Sequence, residues 1–262
     1  MQTLTLMTSN IRFANNDDGI HDWETRRPLL AQIYREHKLD ILATQEGREG
    51  QIKELDVLLE SLVLIDQHRT WIFDRMYPCL YVNPDVFLIL ESGDIWLSDT
   101  PDIPGSTAFE SAFPRLCTWA RLKCKKTNNT ILVINTHLDH IKQETRKKQI
   151  EVLIIEVKKI KGPTDPLLIL GDFNEPPTSQ LKKELITNFE LLDPWEELNH
   201  PEETSHHGFL GHEALTGERI DWILIPKSFF CNEIKMDRRY FEPQLYPSDH
   251  YPIVATVVPK CK

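Results

Sequence analysis

The chain has 262 residues, with 30 Lys and Arg against 40 Asp and Glu, a formal net charge of −10, and it is 40% hydrophobic and 27% charged. This composition supports a sizeable core and excludes a disordered, collagen-like or coiled-coil chain; no apolar run approaches the roughly 18–20 residues of a membrane span. The acidic balance disfavours long duplex DNA as a partner, yet it leaves room for a small phosphate-bearing substrate held at a metal. The start, Met1-Gln2-Thr3-Leu4-Thr5-Leu6, lacks a basic stretch followed by an apolar one, so a signal peptide is not expected and a cytoplasmic location is the default, with another export route left open. Five cysteines, Cys79, Cys117, Cys124, Cys231 and Cys261, are scattered and form no C-x-x-C. They read as structural thiols rather than as a disulfide framework or a zinc site.

In chain order, Thr3–Arg12 alternates like a first strand and 24–37 places Leu29, Leu30, Ile33 and Tyr34 at helical spacing. A short buried strand at 40–44 and a helix over 50–62 follow, then strands at 87–97, 117–123 and 130–137. The best helical pattern runs between Lys142 and Lys161, with Ile150, Leu153, Ile154 and Val157 on one face. Strands at 167–171, 220–225, 231–237 and 253–258 complete the chain. Runs apolar on both faces need cover on both, so about ten strands with three or four helices predict a layered α/β (α+β) sandwich. The paired lysines Lys147-Lys148, Lys158-Lys159 and Lys182-Lys183 read as solvated helix faces. No linker or repeat interrupts the chain, and the length allows one to two domains.

The informative residues are polar ones that finish apolar strands. Asn10 ends the first, Glu46 follows the second, and His137 with Asp139 follows Ile131–Thr136. Asp172 and Asn174 follow Leu167–Gly171, Asp221 opens a later strand, and Asp249-His250 precedes the last. Any one could merely cap its strand, but together they form a chemically complete set converging on one crevice. One glutamate and several aspartates suit Mg²⁺, or Mn²⁺, better than zinc. Asp172 and Asn174 lie two apart, a spacing that puts both on one face of an extended chain. An Asp221 carboxylate beside His250 would fix its tautomer and raise its pKa.

Six ordered blocks, Ser9-Asn10-Ile11-Arg12, Thr44-Gln45-Glu46-Gly47, Asn135–His140, Gly171-Asp172-Phe173-Asn174, Arg219-Ile220-Asp221-Trp222 and Pro247–Pro252, closely resemble the endonuclease/exonuclease/phosphatase superfamily. Asp17-Asp18-Gly19, Trp23, Arg26-Arg27 and Pro114–Trp119 narrow the resemblance to a bacterial branch of uncharacterised hydrolases, which is also similar to poly(A)-removing nucleases. The resemblance implies a single domain over residues 1–262, folded as a deoxyribonuclease-I-like four-layer sandwich: two facing mixed sheets with helices outside. It implies Glu46 as principal metal ligand with Asn10 and Asp249 nearby, Asp172 as the residue that aligns or deprotonates water, and Asn174 holding nucleophile or phosphate. His137 and His250 would face phosphate oxygens, with Asp221 or Asp249 orienting a histidine. Arg115 is a candidate phosphate clamp, with a structural ion pair as the alternative, and His207 either touches substrate or packs its loop. One departure is a shortened 67–79 segment, with Arg75 where relatives carry a glutamate.

The expected activity is Mg²⁺-dependent hydrolysis of a phosphate ester, as a phosphodiesterase or phosphatase on a small molecule, by a monomeric enzyme. A nuclease on short single-stranded or 3′-terminal nucleic acid is one alternative. A catalytically silent binding module on the same scaffold is another.

Overall fold

The computed structural model describes residues 3–260 apart from Leu215 and Pro243; Cys261 therefore lies outside the described residues. The strand β1 (Leu4–Asn10) is followed by α1 (Trp23–His37), β2 (Ile41–Gly47), α2 (Glu49–Leu58), β3 (Val63–Leu64), β4 (Tyr77–Val82), β5 (Phe87–Trp96) and β6 (Leu116–Cys124). Then come β7 (Thr130–His137), α3 (Gln143–Ile160), β8 (Leu167–Asp172), α4 (Gln180–Phe189), β9 (Leu191–Leu192) and α5 (Pro194–Glu197), and finally β10 (Asp221–Pro226), β11 (Phe229–Met236) and β12 (Ile253–Pro259).

The strands form two six-stranded sheets, ordered β11-β12-β1-β2-β4-β3 and β5-β6-β7-β8-β10-β9. Each is built around a central parallel pair, β1–β2 and β7–β8, flanked by antiparallel neighbours. A parallel pair needs a crossover, and a helix supplies it in each case: α1 between β1 and β2, α3 between β7 and β8.

Strand periodicity explains the layering. On β7, Ile131 and Val133 enter a core between the sheets, with Leu168 and Leu170 of β8, Leu4 and Leu6 of β1, and Ile253 and Ala255 of β12. The alternate residues Leu132, Ile134, Leu167 and Ile169 face α3 through Ile150, Leu153 and Val157. Met7 and Leu42 face α1 and α2 through Leu30, Ile33, Ile52 and Leu55. Helix, sheet, sheet, helix is the four-layer sandwich the sequence implied.

The differences are local. The helix α2 stops at Leu58, earlier than its apolar spacing suggests. The strand β4 lies in a segment to which the sequence pattern assigns no element, although all six of its residues are buried. Lys182, read as solvated, is buried: its Nζ donates to Asp193 at 2.9 Å and Glu196 at 2.5 Å, and Asp193 also accepts from buried Arg219 at 2.7 Å. Lys147, Lys148, Lys158 and Lys159 are exposed. Cys79, Cys117 and Cys124 are buried and Cys231 is half-buried.

One feature fixes the sheets against each other beneath the site, and another closes two strands of the second sheet together. Gln45 donates from Nε2 to Asn135 Oδ1 at 2.8 Å and to Thr8 Oγ1 at 3.1 Å, while Asn135 donates to the Thr44 and Cys79 carbonyls at 2.8 and 2.7 Å. This buried amide network crosses the interface, where leaving either partner unpaired would cost about 1–3 kcal/mol. Gly171 lets β7 and β8 close up just before Asp172: its φ is +152°, and a Cβ there would stand 2.2 Å from the Thr136 carbonyl oxygen.

Candidate active site at the carboxyl ends of the central strands

Asn10, Glu46, His137 and Asp172 stand at or next to the carboxyl ends of β1, β2, β7 and β8, the usual position for a crevice above parallel strands. β10 runs antiparallel to β8 and begins opposite its end, with Asp221 in register with Asp172. β12 runs antiparallel to β1, so Asp249 and His250, just before it, arrive at the same end. Apolar strands thus deliver each polar residue where its run stops. A register shift between Thr44 and Gly47 marks the end of β2, and Glu46 there adopts φ +68°. Asn174 adopts φ +50°; such backbone in non-glycine residues is concentrated at functional sites.

The side chains form one connected set. Asn10 Nδ2 donates to Asp172 Oδ2 at 2.9 Å and to Glu46 Oε1 at 3.1 Å, while its Oδ1 accepts from the Arg12 amide at 3.0 Å. The Phe13 amide donates to Glu46 Oε2 at 3.2 Å. Asp172 Oδ1 accepts from the Asn174 amide at 3.0 Å. Its Oδ2 lies 3.5 Å from His137 Nε2 and 3.9 Å from His250 Nε2. His250 Nδ1 is 2.9 Å from Asp221 Oδ2. The Ser248 hydroxyl donates to the Asn10 carbonyl at 2.6 Å. Buried Arg26 of α1 donates to the Ile11, Arg12 and Pro247 carbonyls, which ties the two site loops of the first sheet together.

Burial and charge set opposite protonation tendencies side by side. Burial would lower the His250 pKa, but the charge and hydrogen bond of Asp221, with Asp172 and Asp249 beyond, raise it to about 10. The ring is therefore an imidazolium at neutral pH. Burial, joined by the Asp221 charge, pushes Asp172 well above the usual carboxylate range, against the pull of His250 and Asn10. Burial and the neighbouring Arg115 guanidinium hold His137 well below its ordinary value, so this ring is neutral. For Asp249 burial acts upward, but His250 and Arg12 outweigh it and keep the carboxylate ionised.

The crevice has a volume of about 330 Å³ and is lined by Glu46, His137, Asp172, Asn174, Asp249 and His250, with Arg115 in the wall. Among the described residues, three carboxylate-histidine groups have ligand atoms within 4.8 Å of one another: Glu46, His137 and Asp172; Asp249, His206 and His250; and Asp172, Asp221 and His250. Asp249 thus groups with histidines and with Arg12, 3.6 Å away, rather than with Glu46. Asp221 orients His250, and Asp249 does not. Asn174 reaches the crevice through a turn, not along an extended strand: Asp172 ends β8, and Asn174 Nδ2 donates to the Leu138 carbonyl at 3.1 Å.

Other assignments change. His207 does not line the crevice: it is 3% exposed, accepts from the Gly211 amide through Nδ1 and packs on Tyr246 and Tyr251. Its neighbour His206 lines the crevice instead, with its ring centroid 4.7 Å from that of His250. Adjacent histidines in a loop give no periodic signal to tell them apart. Arg115 donates to His137 and His140 rather than to a carboxylate. Asp139 caps a turn, accepting from the Ala112, Ile141 and Lys142 amides. Arg75 is exposed, and Met76 beside it lines the crevice. Arg12, Phe13, Phe113 and His140, which strand patterning does not single out, complete the rim.

Among solved structures, a Bacteroides vulgatus endonuclease/exonuclease/phosphatase is 26% identical, covers 99% of this chain and 100% of its own, and superposes with a TM-score of 0.89. The Bacteroides thetaiotaomicron mannosyl-6-phosphatase Bt3783 is 28% identical over 97% and 99% of the two chains, with a TM-score of 0.86. The human Nocturnin catalytic domain, at 20% identity and a TM-score of 0.75, shares the fold over 98% of this chain and 94% of its own. No curated protein sequence matches. The sequence model of the Endonuclease/Exonuclease/phosphatase family matches residues 7–250, nearly the whole chain, and the chain belongs to that family.

Proposed function

We propose that the protein hydrolyses a small phosphate ester by in-line attack of water at phosphorus, with Asp172 as the residue that aligns and deprotonates that water. The observation that carries this reading is the position of Asp172: a buried carboxylate with a raised pKa, open to the crevice and held between Asn10, the neutral His137 and the cationic His250. A general base is most effective when its pKa approaches the working pH. His250, kept charged by Asp221, donates from Nε2 to a phosphoryl oxygen and stabilises the charge that develops there. Asn174 holds the phosphoryl group or the nucleophile at the edge of the crevice.

The donor set fits a hard divalent cation. Glu46 and Asp172 place carboxylate oxygens within 4.8 Å of one another, and thiolates are absent from the crevice lining. Glu46, with Asp172 and Asn10 beside it, is the residue proposed to hold Mg²⁺, with Mn²⁺ as a substitute; Asp249, expected as a further ligand, stands with the histidines instead. Such an ion, when bound, neutralises phosphoryl charge and stabilises the leaving oxyanion.

A crevice of about 330 Å³ in a chain of net charge −10 suits a small soluble ester better than a polynucleotide, and the 28% identical mannosyl-6-phosphatase supports a phosphomonoester. Magnesium-dependent turnover of p-nitrophenyl phosphate, bis-p-nitrophenyl phosphate, hexose phosphates and short oligonucleotides tests this. Turnover of one or more small esters that is lost on chelation and restored by Mg²⁺ is the expected outcome. Cleavage of oligonucleotides alone, or no turnover of any of them, contradicts it.

A further inference from the structure

Arg115 stands one residue before β6, buried in the crevice wall, and its guanidinium is directed at two rings. One Nη meets Nδ1 of His137 at 2.8 Å and the other meets Nδ1 of His140 at 3.3 Å. A guanidinium carries five N–H donors, has no acceptor and stays protonated. Each Nδ1 must therefore present a lone pair, which leaves the single ring proton of each histidine on Nε2. An arginine in contact with two imidazoles through the same type of nitrogen fixes both tautomers at once.

The surroundings hold the second ring in place. Phe113 stacks on His140 with centroids 5.9 Å apart and planes 20° from parallel, and the Arg115 guanidinium lies 5.8 Å from the Phe113 centroid. The loop carrying Phe113 is fastened to the one carrying His140 through Asp139, whose Oδ2 accepts from the Ala112 amide at 2.8 Å and whose Oδ1 accepts from the Ile141 amide at 2.8 Å. Phe113, His140 and Arg115 all line the crevice. Arg115 itself keeps a buried Nε without a partner, so its positioning contacts are the two histidines.

We propose that Arg115 is a positioning residue that locks His137 and His140 in the Nε2–H tautomer, and that His140 thereby serves as a second neutral imidazole donor to the oxygens of the phosphate ester. The tautomer assignment stands on the geometry alone; the donor role of His140 rests on the phosphate-ester reading above. One consequence concerns the metal. With its proton on Nε2, which stands 3.5 Å from Asp172 Oδ2, and its Nδ1 taken by Arg115, His137 has no lone pair to offer the crevice and is not a metal ligand. The Glu46–His137–Asp172 group is then an oxygen site, suited to Mg²⁺ rather than zinc.

Long-range ¹H–¹⁵N spectra of histidine-labelled protein at one fixed pH test the assignment, because the cross-peak pattern distinguishes the two neutral tautomers. Both rings should show the Nε2–H pattern in the native protein. Arg115→Met should turn at least His140 into a mixture of tautomers. Arg115→Lys, with a single nitrogen to offer, should leave one ring unchanged and mix the other, and this variant decides the matter if the methionine variant fails to fold. A native Nδ1–H pattern on either ring, or spectra unmoved by both substitutions, overturns the proposal. His140→Phe keeps the stack on Phe113 and removes the donor. It should lower kcat/KM about tenfold, the scale of one hydrogen bond, with the His137 pattern unchanged; an unaltered kcat/KM overturns the donor role. If the native protein turns over no phosphate ester, that failure falls on the proposed function, while the spectra still decide the tautomers.

Discussion

Asp172→Asn is expected to lower kcat by about 10²- to 10⁴-fold, the range of a lost general base, with little change in stability. The same burial bears on both. The folded-state pKa of Asp172 lies above its ordinary value of 3.8, so the fold disfavours the charged form. The contribution of this group to stability is greatest below its unfolded pKa and declines as pH rises through the raised value. An amide of the same shape removes the charge that is costly to bury, but its single oxygen can accept from only one of Asn10 and the Asn174 amide, so the two effects offset and the melting temperature at neutral pH should change little. Turnover is read by steady-state kinetics, stability by thermal unfolding. Native-like kcat contradicts the role of Asp172, and a collapse of the melting temperature contradicts the account of its burial.

The second large effect is on pH dependence. His250 is raised to about 10 against the downward push of burial, chiefly by the charge and hydrogen bond of Asp221. The imidazolium should therefore limit kcat/KM on the alkaline side, with activity falling as pH approaches about 10. Asp221→Asn removes the main upward influence, lets burial dominate and should move the alkaline limb down by several pH units. Stability should follow the same sign. A His raised in the folded state contributes stability that is fully present below its unfolded pKa of 6.5 and is lost as pH rises through about 10. That decline should flatten in the variant. Profiles of kcat/KM against pH for both proteins supply the check; an unmoved alkaline limb would show that another group sets it.

Much of the site was legible because of how the strands end. Asn10, Glu46, His137 and Asp172 each interrupt or follow an apolar run, and chain direction in a sandwich with two central parallel pairs carries all four to one edge. Asp221 and His250 were legible for the complementary reason, since they precede antiparallel strands that start where the others stop. The residues that pattern misses act through geometry that only the tertiary fold creates. His140 reaches the crevice because Arg115 and Phe113 arrive from a loop 25 residues earlier in the chain. His206 and His207 are chemically identical neighbours, and an antiparallel bridge between His206 and His250 accompanies the one that faces the crevice. β4 was hidden by Pro78 and by polar residues just upstream, although Tyr77, Cys79 and Tyr81 face one core and Leu80 and Val82 the other. Lys182 shows the limit of composition: a lysine pair on a helix looks solvated until Asp193 and Arg219 are brought beside it.

In the proposed reaction, water prepared by Asp172 attacks phosphorus. Hydrolysis of a phosphomonoester substrate in H₂¹⁸O with Mg²⁺ tests it most directly, with the released phosphate and alcohol analysed by mass. One ¹⁸O atom in the phosphate and none in the alcohol is the predicted result, with label incorporation slowed in Asp172→Asn as far as turnover is. Label in the alcohol would place the attack on carbon, and incorporation by the Asp172 variant at the native rate would remove that carboxylate from the reaction.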